Sequence, residues 1–441
     1  MAGVKLSPRL ARAIALSVSL IVALGVWHWA EHILAPANAV TVLAARRPVG
    51  NNSDLYPRWL GARELLLFGR DPYSLEVTRE IQKGFYGRVL DPRNPADPIA
   101  EESFVYPLYV VFLMAPTVKL PFALVMSIFR WLLLLAIAGS VPLWMNSVGL
   151  RPSWPVLLAS TLLAVSSFPA VEEYFQQNLA ALVLLFLAAA AAAAVRGRLV
   201  LSGFLLALST AKPDTTGLVI LWFLLWAAAK RPERGRLIWS FAGSLTVLVA
   251  AGEMISPHWI GRFIGEVRRY AAYGTDPSIL RVLLPRWLAT LASVALLSTL
   301  VGVSWKWRRA PATSQEFGWA LSWSAAVTLA VIPKLAAYNQ LLLIPSLLML
   351  IRLGNVPAFM PRALAKAAFA CQGWQWLAAT GLSIASLAAT MPRLRATASL
   401  PLATLLALPL LTLLAVIAHS ASELCTKKRR PRDESGAPCE M

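Results

Sequence analysis

Residues Phe122 to Met145 read FALVMSIFRWLLLLAIAGSVPLWM, and this stretch decides the fold class. It runs for about 24 residues with one charged side chain, Arg130, and an α-helix of that length crosses a bilayer. Similar apolar runs recur along the 441 residues, of which 58% are hydrophobic and only 14% are charged. Because a soluble protein does not have this composition, we predict an all-α, polytopic transmembrane helical bundle in one membrane domain, residues 1–421.

The apolar runs predict about twelve spans in total. The predicted spans are Ala11–Trp29, Phe122–Met145, Trp154–Ala170, Leu179–Val195, Leu199–Ala211, Thr215–Ala229, Leu237–Ile255, Leu283–Val303, Trp319–Ile332, Tyr338–Ile351, Ala367–Ala389 and Leu400–Ala418. With the amino terminus in the cytoplasm, the arginine and lysine clusters between spans fall on the cytoplasmic side, as membrane insertion favours. We therefore predict a multi-pass protein of the plasma (inner) membrane with both termini in the cytoplasm and a basic, disordered tail, residues 422–441.

One apolar segment, Phe104–Val118, must not cross for this arrangement to hold, because an extra crossing would invert every later loop. At about 15 residues it is short for a span, and it is bounded or interrupted by Pro107, Pro116 and Pro121. We predict a juxtamembrane or re-entrant helix here, as part of a large first extracytoplasmic loop, residues 31–121.

The charge, the cysteines and the histidines exclude several classes of protein. The formal net charge is +19, but no zinc spacing, RNA-binding signature or basic amphipathic face accompanies it, so we predict no nucleic-acid partner. The three cysteines are not placed to pair across an oxidising compartment. None of the four histidines has a metal ligand at the usual spacing, and we predict neither a metal nor another cofactor.

Polar motifs recur at the predicted external ends of the spans. They are Asp54 before an amphipathic helix, the Gly69–Tyr73 turn, Tyr106-Pro107, Tyr174–Asn178, Ala211–Asp214 and Pro333–Asn339. Because these ends lie at the same face of the membrane, the motifs are placed to wall one cleft.

In their order and sidedness the motifs resemble those of the GT-C superfamily of membrane glycosyltransferases, and most closely the bacterial polyprenol-phosphate-mannose-dependent α-mannosyltransferase family. The resemblance rests on Asp54, on Gly69, Pro72 and Tyr73, on Tyr106 and Pro107, on Gln177 and Asn178, and on Lys212 and Pro213. It covers the first half of the chain closely and the second half loosely. Two positions depart from the family pattern: Leu108 stands where a second proline is common, and Ala337-Tyr338-Asn339 stands where a histidine is common.

The resemblance implies transfer of a sugar, with mannose as the family default, from a polyprenyl-phosphate donor to an acceptor hydroxyl of a glycan or glycolipid. The reaction would take place at the extracytoplasmic face and would invert the configuration at the anomeric carbon of the sugar. It needs a base for the acceptor proton, and a carboxylate near the membrane surface can serve, adding about 10²–10⁴ to the rate. Asp54 is the predicted base. The alternative role of Asp54 is an N-cap of the helix that follows it.

The leaving phosphate needs positive side chains, which act strongly in a dry cleft. Lys212, Lys334 and Arg281 are the predicted phosphate ligands, and the alternative is that they anchor helix ends at the membrane surface. Four further side chains are predicted to bond sugar hydroxyls: Tyr73, Tyr106, Gln177 and Asn178. The alternative for the tyrosines is the aromatic belt that membrane interfaces favour.

Arg130 lies well inside the second predicted span, where a charge costs about 2.5–3.5 kcal/mol on insertion scales. It therefore needs a partner, either a lipid phosphate or a carboxylate such as Glu172.

Two other functions stay open at this point. A transporter or flippase of a lipid-linked glycan would also use external cationic residues and a groove for membrane lipids, but it is expected to place ionisable residues at mid-bilayer in repeated, broken helices. A polymerase or ligase of lipid-linked glycans usually carries its main loop late in the chain. The residues name neither the sugar nor the acceptor.

Overall fold

The computed structural model describes residues 7–44, 49–91, 93–94, 97–273, 277–333, 336–352 and 359–429. Within these ranges the chain forms twenty α-helices and no β-strand, as the all-α prediction requires. The α-helices are α1 Pro8–Trp29, α2 Ala35–Ala44, α3 Leu55–Phe68, α4 Leu75–Tyr86, α5 Val110–Met114, α6 Phe122–Ser147, α7 Trp154–Val165, α8 Phe168–Gln176, α9 Ala180–Val195, α10 Leu199–Ser209, α11 Pro213–Ala228, α12 Arg231–Ile255, α13 Trp259–Tyr273, α14 Ile279–Leu283, α15 Arg286–Trp307, α16 Gln315–Val331, α17 Ile344–Arg352, α18 Phe359–Ala385, α19 Met391–Thr397 and α20 Ala407–Arg429. A π-helix at Ala30–Leu34 joins α1 to α2, and 3₁₀ helices lie at Ala115–Thr117, Ala337–Leu343 and Leu400–Thr404.

Several helices have the length and the apolar composition of membrane spans. Five stretches of the described chain are long and apolar enough to cross it: Pro8–Ala44, Phe122–Ser147, Arg231–Ile255, Arg286–Trp307 and Met391–Ser422. A sixth arises if α7 and α8, which meet at a bend of 56°, form one broken span. The protein is thus a helical membrane protein, but the predicted number of about twelve spans is not confirmed.

The lower number has a physical reason, because several predicted spans are short helices. Ala180–Val195, Leu199–Ser209, Pro213–Ala228 and Ala337–Arg352 are apolar but have only 10–17 residues. At 1.5 Å per residue, a helix of 11 residues is about 16 Å long, roughly half of the hydrocarbon thickness. Most side chains of α9 are buried in the protein, so its apolar composition reflects internal packing as well as lipid contact.

The bundle is organised around α9 and α16, whose side chains are mostly buried. Helices α6 and α10 pack against α9, and α11, α15, α17 and α20 pack against α16. Helix α1 lies against α7 and α18. Its Val18 and Leu24 side chains point outward, as expected of a helix that faces lipid.

The first loop contains a small helical unit in which α3 packs against α4 and α5. Two glycines allow this close packing: a Cβ atom on Gly84 would lie 2.1 Å from the Tyr56 ring, and one on Gly61 would lie 2.4 Å from Phe104. Tyr56 also meets Phe122 of α6 edge-on, with ring centroids 4.8 Å apart. The unit is therefore fastened directly to the bundle.

The boundaries of this loop differ from the prediction. Helix α1 continues through the π-helix into α2, so residues 31–44 are helical. The π-helix ends two residues before Pro36, which cannot donate the regular backbone hydrogen bond of an α-helix. The segment Phe104–Val118 contains only α5 and a 3₁₀ turn, and the α5 side chains Val110 and Met114 are buried.

Helix α11 separates two groups of connections. At its carboxyl end, the Arg234 guanidinium donates to the carbonyl oxygens of Trp226 and Ala310, each at 3.0 Å, and so joins two of the basic loops. Lys212 lies at its amino end. Two of the basic loops thus lie at one end of this helix and the Lys212 motif lies at the other. The side of the membrane that each end faces stays a prediction.

Candidate active site

Asp54 lies where the first loop meets the end of α8. Its backbone N–H donates to the carbonyl oxygen of Gln176 at 2.7 Å, and the Ser53 hydroxyl donates to Gln177 Oε1 at 2.6 Å. Asp54 directly precedes α3, but its side chain makes no capping hydrogen bond. Ser53 Oγ accepts from the Leu55 N–H instead, at 3.3 Å. The Asp54 carboxylate therefore does not cap α3.

Asn178 joins the Asp54 carboxylate to the Lys212 amine. Asn178 Nδ2 donates to Asp54 Oδ2 at 2.8 Å, and Asn178 Oδ1 accepts from Lys212 Nζ at 3.0 Å. The same Oδ1 accepts from the Ala180 N–H at 3.1 Å, which fixes the orientation of the amide. The predicted base and a predicted phosphate ligand are thus separated by a single amide group.

The segment before α17 completes this cluster. The Tyr338 hydroxyl donates to Asp54 Oδ2 at 3.1 Å, and the Tyr338 ring centroid lies 4.6 Å from Lys212 Nζ. Asn339 Oδ1 accepts from Lys212 Nζ at 2.7 Å and from the Thr215 hydroxyl at 3.3 Å. Tyr338 therefore contacts both the predicted base and the predicted phosphate ligand, and Asn339 contacts the latter. Both residues stand at the position that departs from the family pattern.

Two glutamates of α8 stabilise the surrounding backbone. Glu172 Oε2 accepts from the Tyr338 N–H at 2.7 Å, and Glu173 Oε1 accepts from the Ala181 N–H at 3.0 Å. Both residues follow the 56° bend between α7 and α8, and Glu173 is fully buried. Glu172 thereby holds the Tyr338 segment against α8.

Lys212 is a buried cation, with 4% of its surface exposed. In the described part of the chain, no carboxylate oxygen lies within 4.0 Å of its Nζ, and both of its hydrogen-bond acceptors are amide oxygens. Burial lowers the pKa of the Lys212 amine, while the carboxylates of Asp214 and Glu173 oppose this shift. A buried charge without an ion-pair partner is costly, so an anion that enters the cluster would be stabilised by it.

Arg58 is a second buried cation, one helical turn after Asp54 in α3, with 6% exposure. Its guanidinium donates to the Tyr106 hydroxyl and lies 4.0 Å from the Tyr106 ring centroid. Its Nε is buried without a hydrogen-bond partner, and the described residues contain no carboxylate within 4.0 Å of the guanidinium. Burial acts to lower the pKa of Arg58, but Tyr106 and Asp54 favour the charged form and the net direction is upward.

Tyr73 holds the backbone of Tyr106 in place. The Tyr73 hydroxyl donates to the Tyr106 carbonyl oxygen at 2.7 Å, and its ring meets Phe104 edge-on with centroids 5.4 Å apart. Burial raises the pKa of both tyrosine hydroxyls, so both stay protonated at neutral pH. Their predicted contacts with sugar hydroxyls stay predictions, as does that of Asn178.

Gln177 connects the first loop to α8 and is fully buried. Its backbone has a φ of 49°, which is uncommon for a residue other than glycine. Its Nε2 donates to the carbonyl oxygens of Phe175, at 2.7 Å, and Tyr174, while its Oε1 accepts from Ser53. Both ends of the side-chain amide are thus engaged inside the protein, and the predicted bond to a sugar hydroxyl stays a prediction.

We expect Gln177→Ala to destabilise the protein by about 1–3 kcal/mol, because it removes the short hydrogen bond from the buried Ser53 hydroxyl and the hydrogen bonds donated to two carbonyl oxygens. Thermal unfolding in detergent measures the change. Gln176→Ala is the matched control, since the Gln176 side chain is partly exposed and makes no such contacts. Equal unfolding temperatures for Gln177→Ala and wild type would contradict this role.

The other two predicted phosphate ligands are not placed in the cluster. Arg281 lies in α14 with an exposed side chain, and none of the hydrogen bonds of the described residues connects it to Asp54 or Lys212. Lys334 lies outside the described residues. Both assignments stay predictions.

Three site residues were missed by reasoning from the sequence: Arg58, Tyr338 and Asn339. Arg58 carried a usable signal, because a spacing of four residues places Asp54 and Arg58 on the same side of a helix. Tyr338 and Asn339 belong to the motif Pro333–Asn339, which was predicted to wall the cleft, but neither residue was given a role of its own. The role of Tyr338 depends on a contact with Asp54 across 284 positions of sequence.

The cluster thus combines a carboxylate, two buried cations and several hydrogen-bonding groups at one end of the bundle. In the described ranges, no three His, Cys, Asp or Glu residues are grouped so that they could hold a metal ion. Such a set of groups can accept a proton from a hydroxyl and neutralise a phosphate.

The fold and the cluster define a helical membrane protein with a buried, charged site. The model of glycosyltransferase family 87 matches residues 104–334, which is just over half of the chain. The chain therefore belongs to glycosyltransferase family 87 and is a membrane glycosyltransferase. A comparison with curated proteins finds no match. The family match includes Asn178 and Lys212, whereas Asp54 and Tyr338 lie outside it.

Proposed function

We propose that this glycosyltransferase moves a sugar, with mannose as the first candidate, from a polyprenyl-phosphate donor to a hydroxyl of a glycan or glycolipid. Transfer takes place at the extracytoplasmic face and inverts the anomeric centre. The observation that carries the proposal is the contact chain from Asp54 through Asn178 to Lys212, in which a carboxylate and a buried amine share one amide group.

Asp54 acts as the general base. Among the described residues, Asn178 and Tyr338 donate to its carboxylate, both to Oδ2, and this leaves Oδ1 as the atom assigned to the proton. As Asp54 takes the proton of the acceptor hydroxyl, the acceptor oxygen bonds to the anomeric carbon of the sugar. The bond from that carbon to the phosphate oxygen breaks, and its electron pair leaves with the polyprenyl phosphate.

Lys212 and Arg58 bind the leaving phosphate. Both are buried, and in the described residues neither has a carboxylate within 4.0 Å. Positive groups held in advance at the place where negative charge develops stabilise a transition state strongly, because no solvent has to reorganise. Arginine offers two parallel donors to a phosphate, and Tyr106 holds the guanidinium by its ring and its hydroxyl.

The transporter or flippase alternative has less in its favour. The family is one of glycosyltransferases. The charged groups of the cluster also gather at the amino end of α11 and in the first loop, whereas a transporter is expected to place them in broken helices at mid-bilayer.

The proposed donor is tested with purified protein in liposomes. Labelled mannose is supplied either on a synthetic polyprenyl phosphate or on a nucleotide, and other sugars are supplied on the same lipid phosphate. We expect product from the lipid donor alone, with the opposite anomeric configuration to the donor. Product from the nucleotide sugar, or retention of configuration, would refute the proposal.

The charge state of Lys212 predicts the pH dependence of the reaction. We expect kcat/KM to fall at alkaline pH with an apparent pKa below the usual lysine value of 10.5, because transfer needs the charged amine and burial lowers its pKa. Activity is present below that pKa and is lost as the pH rises through it.

Lys212→Arg should move this alkaline limb to higher pH, since a guanidinium keeps its charge there. The pH profile of kcat/KM for the labelled donor measures the shift. Lys119→Arg, at an exposed position, is the matched control and should keep the wild-type profile. An alkaline limb that is the same in Lys212→Arg and wild type would show that another group titrates.

A further inference from the structure

Arg130 is a charged residue inside a membrane helix. It lies eight residues after Phe122, the first residue of α6, which is roughly 12 Å along the helix axis. On the same helix, Leu124, Ile128 and Trp131 are exposed on the outer surface of the bundle, where a membrane helix meets lipid. The Arg130 side chain is half-buried, so it lies at the border between lipid and protein.

Arg130 has no anion among the described residues. Its guanidinium lies 5.1 Å from the ring centroid of Tyr174 and 3.9 Å from the sulfur of Met126, and its Nε is buried without a hydrogen-bond partner. No carboxylate oxygen of the described chain is within 4.0 Å. Glu172, the carboxylate that the sequence suggested as a partner, binds the Tyr338 backbone instead. The contacts that the Arg130 side chain makes with Tyr174 and Met126 therefore do not neutralise its positive charge.

The position of Tyr174 connects Arg130 to the active site. Tyr174 belongs to α8, and its ring meets Trp27 of α1 edge-on with centroids 5.0 Å apart. Two residues later in α8, the carbonyl oxygen of Gln176 holds the Asp54 N–H. Through Tyr174, Arg130 thus contacts α8, the helix that carries one wall of the site, from the lipid-facing side.

We infer that Arg130 binds the phosphate of the lipid-linked sugar donor on the lipid-facing side of α8, before the donor reaches the Asp54 cluster. The inference rests on the proposed function. A lipid phosphate is an anion that can approach this surface from the bilayer, and a guanidinium binds phosphate through two parallel hydrogen bonds. The Tyr174 ring keeps the guanidinium in place while no anion is bound.

The test compares Arg130→Met and Arg130→Lys with wild type in liposomes of phosphatidylcholine, with labelled donor over a range of concentrations. For Arg130→Met we expect KM for the donor to rise by about tenfold, because an ionic contact to the donor is lost, while kcat changes by less than about twofold. Arg130→Lys keeps the charge and should recover most of the change. Arg79→Met, at an exposed position of α4, is the matched control and should behave as wild type.

A second measurement separates this inference from the proposed function. Binding of a polyprenyl phosphate without sugar is measured by native mass spectrometry, with phosphatidylglycerol as the competing lipid. Loss of polyprenyl-phosphate binding in Arg130→Met supports the inference even if wild type transfers no sugar, a result that would refute only the proposed function. The inference is overturned if KM and polyprenyl-phosphate binding stay at wild-type values, if only phosphatidylglycerol binding is lost, or if kcat and the unfolding temperature fall together while KM is unchanged.

Discussion

Replacement of Asp54 by asparagine is expected to lower kcat for sugar transfer by about 10²–10⁴, because an amide cannot take the proton of the acceptor hydroxyl. The protein should stay folded. An asparagine oxygen in the place of Oδ2 still accepts the hydrogen bonds of Asn178 and Tyr338. The rate is measured with labelled polyprenyl-phosphate donor in liposomes, and the thermal unfolding temperature of the same preparation checks the fold.

Asp91→Asn is the matched control for this variant. Asp91 lies in the same loop, but its side chain is exposed, and among the described residues its carboxylate accepts a local hydrogen bond, from the Arg93 N–H at 2.9 Å. We expect transfer by Asp91→Asn to equal that of wild type. A similar loss of transfer in both variants would assign the effect to the loop as a whole and not to the base.

The second large effect is expected at Lys212. Lys212→Met should lower kcat by about 10²–10³, since the variant loses a positive group next to the leaving phosphate. Its effect on stability should be small by comparison. Removal of a buried charge without an ion-pair partner favours the fold, whereas the oxygens of Asn178 and Asn339 lose a donor.

Transfer kinetics and thermal unfolding of Lys212→Met are to be compared with those of Lys119→Met. Lys119 has an exposed side chain, and its replacement should leave both quantities unchanged. If Lys212→Met kept the wild-type kcat, Lys212 would be a structural residue and the phosphate would have to be bound elsewhere.

The fold class was predictable because long apolar runs such as Phe122–Met145 have one physical explanation. The number of spans was not, and α10 shows the reason. Leu199–Ser209 is as apolar as a span, but it has 11 residues and packs between α9 and α12. Hydropathy alone does not separate a side chain buried by protein from one buried by lipid. The length of a helix between its breaks carries that information, and breaks such as Ser166-Ser167 are weak signals in sequence.

The candidate site was predictable in part. Asp54, Asn178 and Lys212 were all named from sequence motifs, and the structure brings them into one hydrogen-bonded chain. Arg58 was missed although its position relative to Asp54 follows from helix geometry. Tyr338 and Asn339 lay in a motif predicted to wall the cleft, but their roles were missed because a single sequence holds no signal for contacts as distant as the 127 positions between Lys212 and Asn339.

The most direct test of the central claim measures donor binding and sugar transfer together, in wild type and Asp54→Asn, with labelled polyprenyl-phosphate mannose in liposomes. The account predicts that wild type forms glycosylated product, whereas Asp54→Asn binds the donor with similar affinity and transfers at least about a hundredfold more slowly. Full transfer by Asp54→Asn would contradict the assignment of the base. Absence of product with wild type, together with movement of the labelled lipid across the bilayer, would contradict the proposed transfer from a lipid donor.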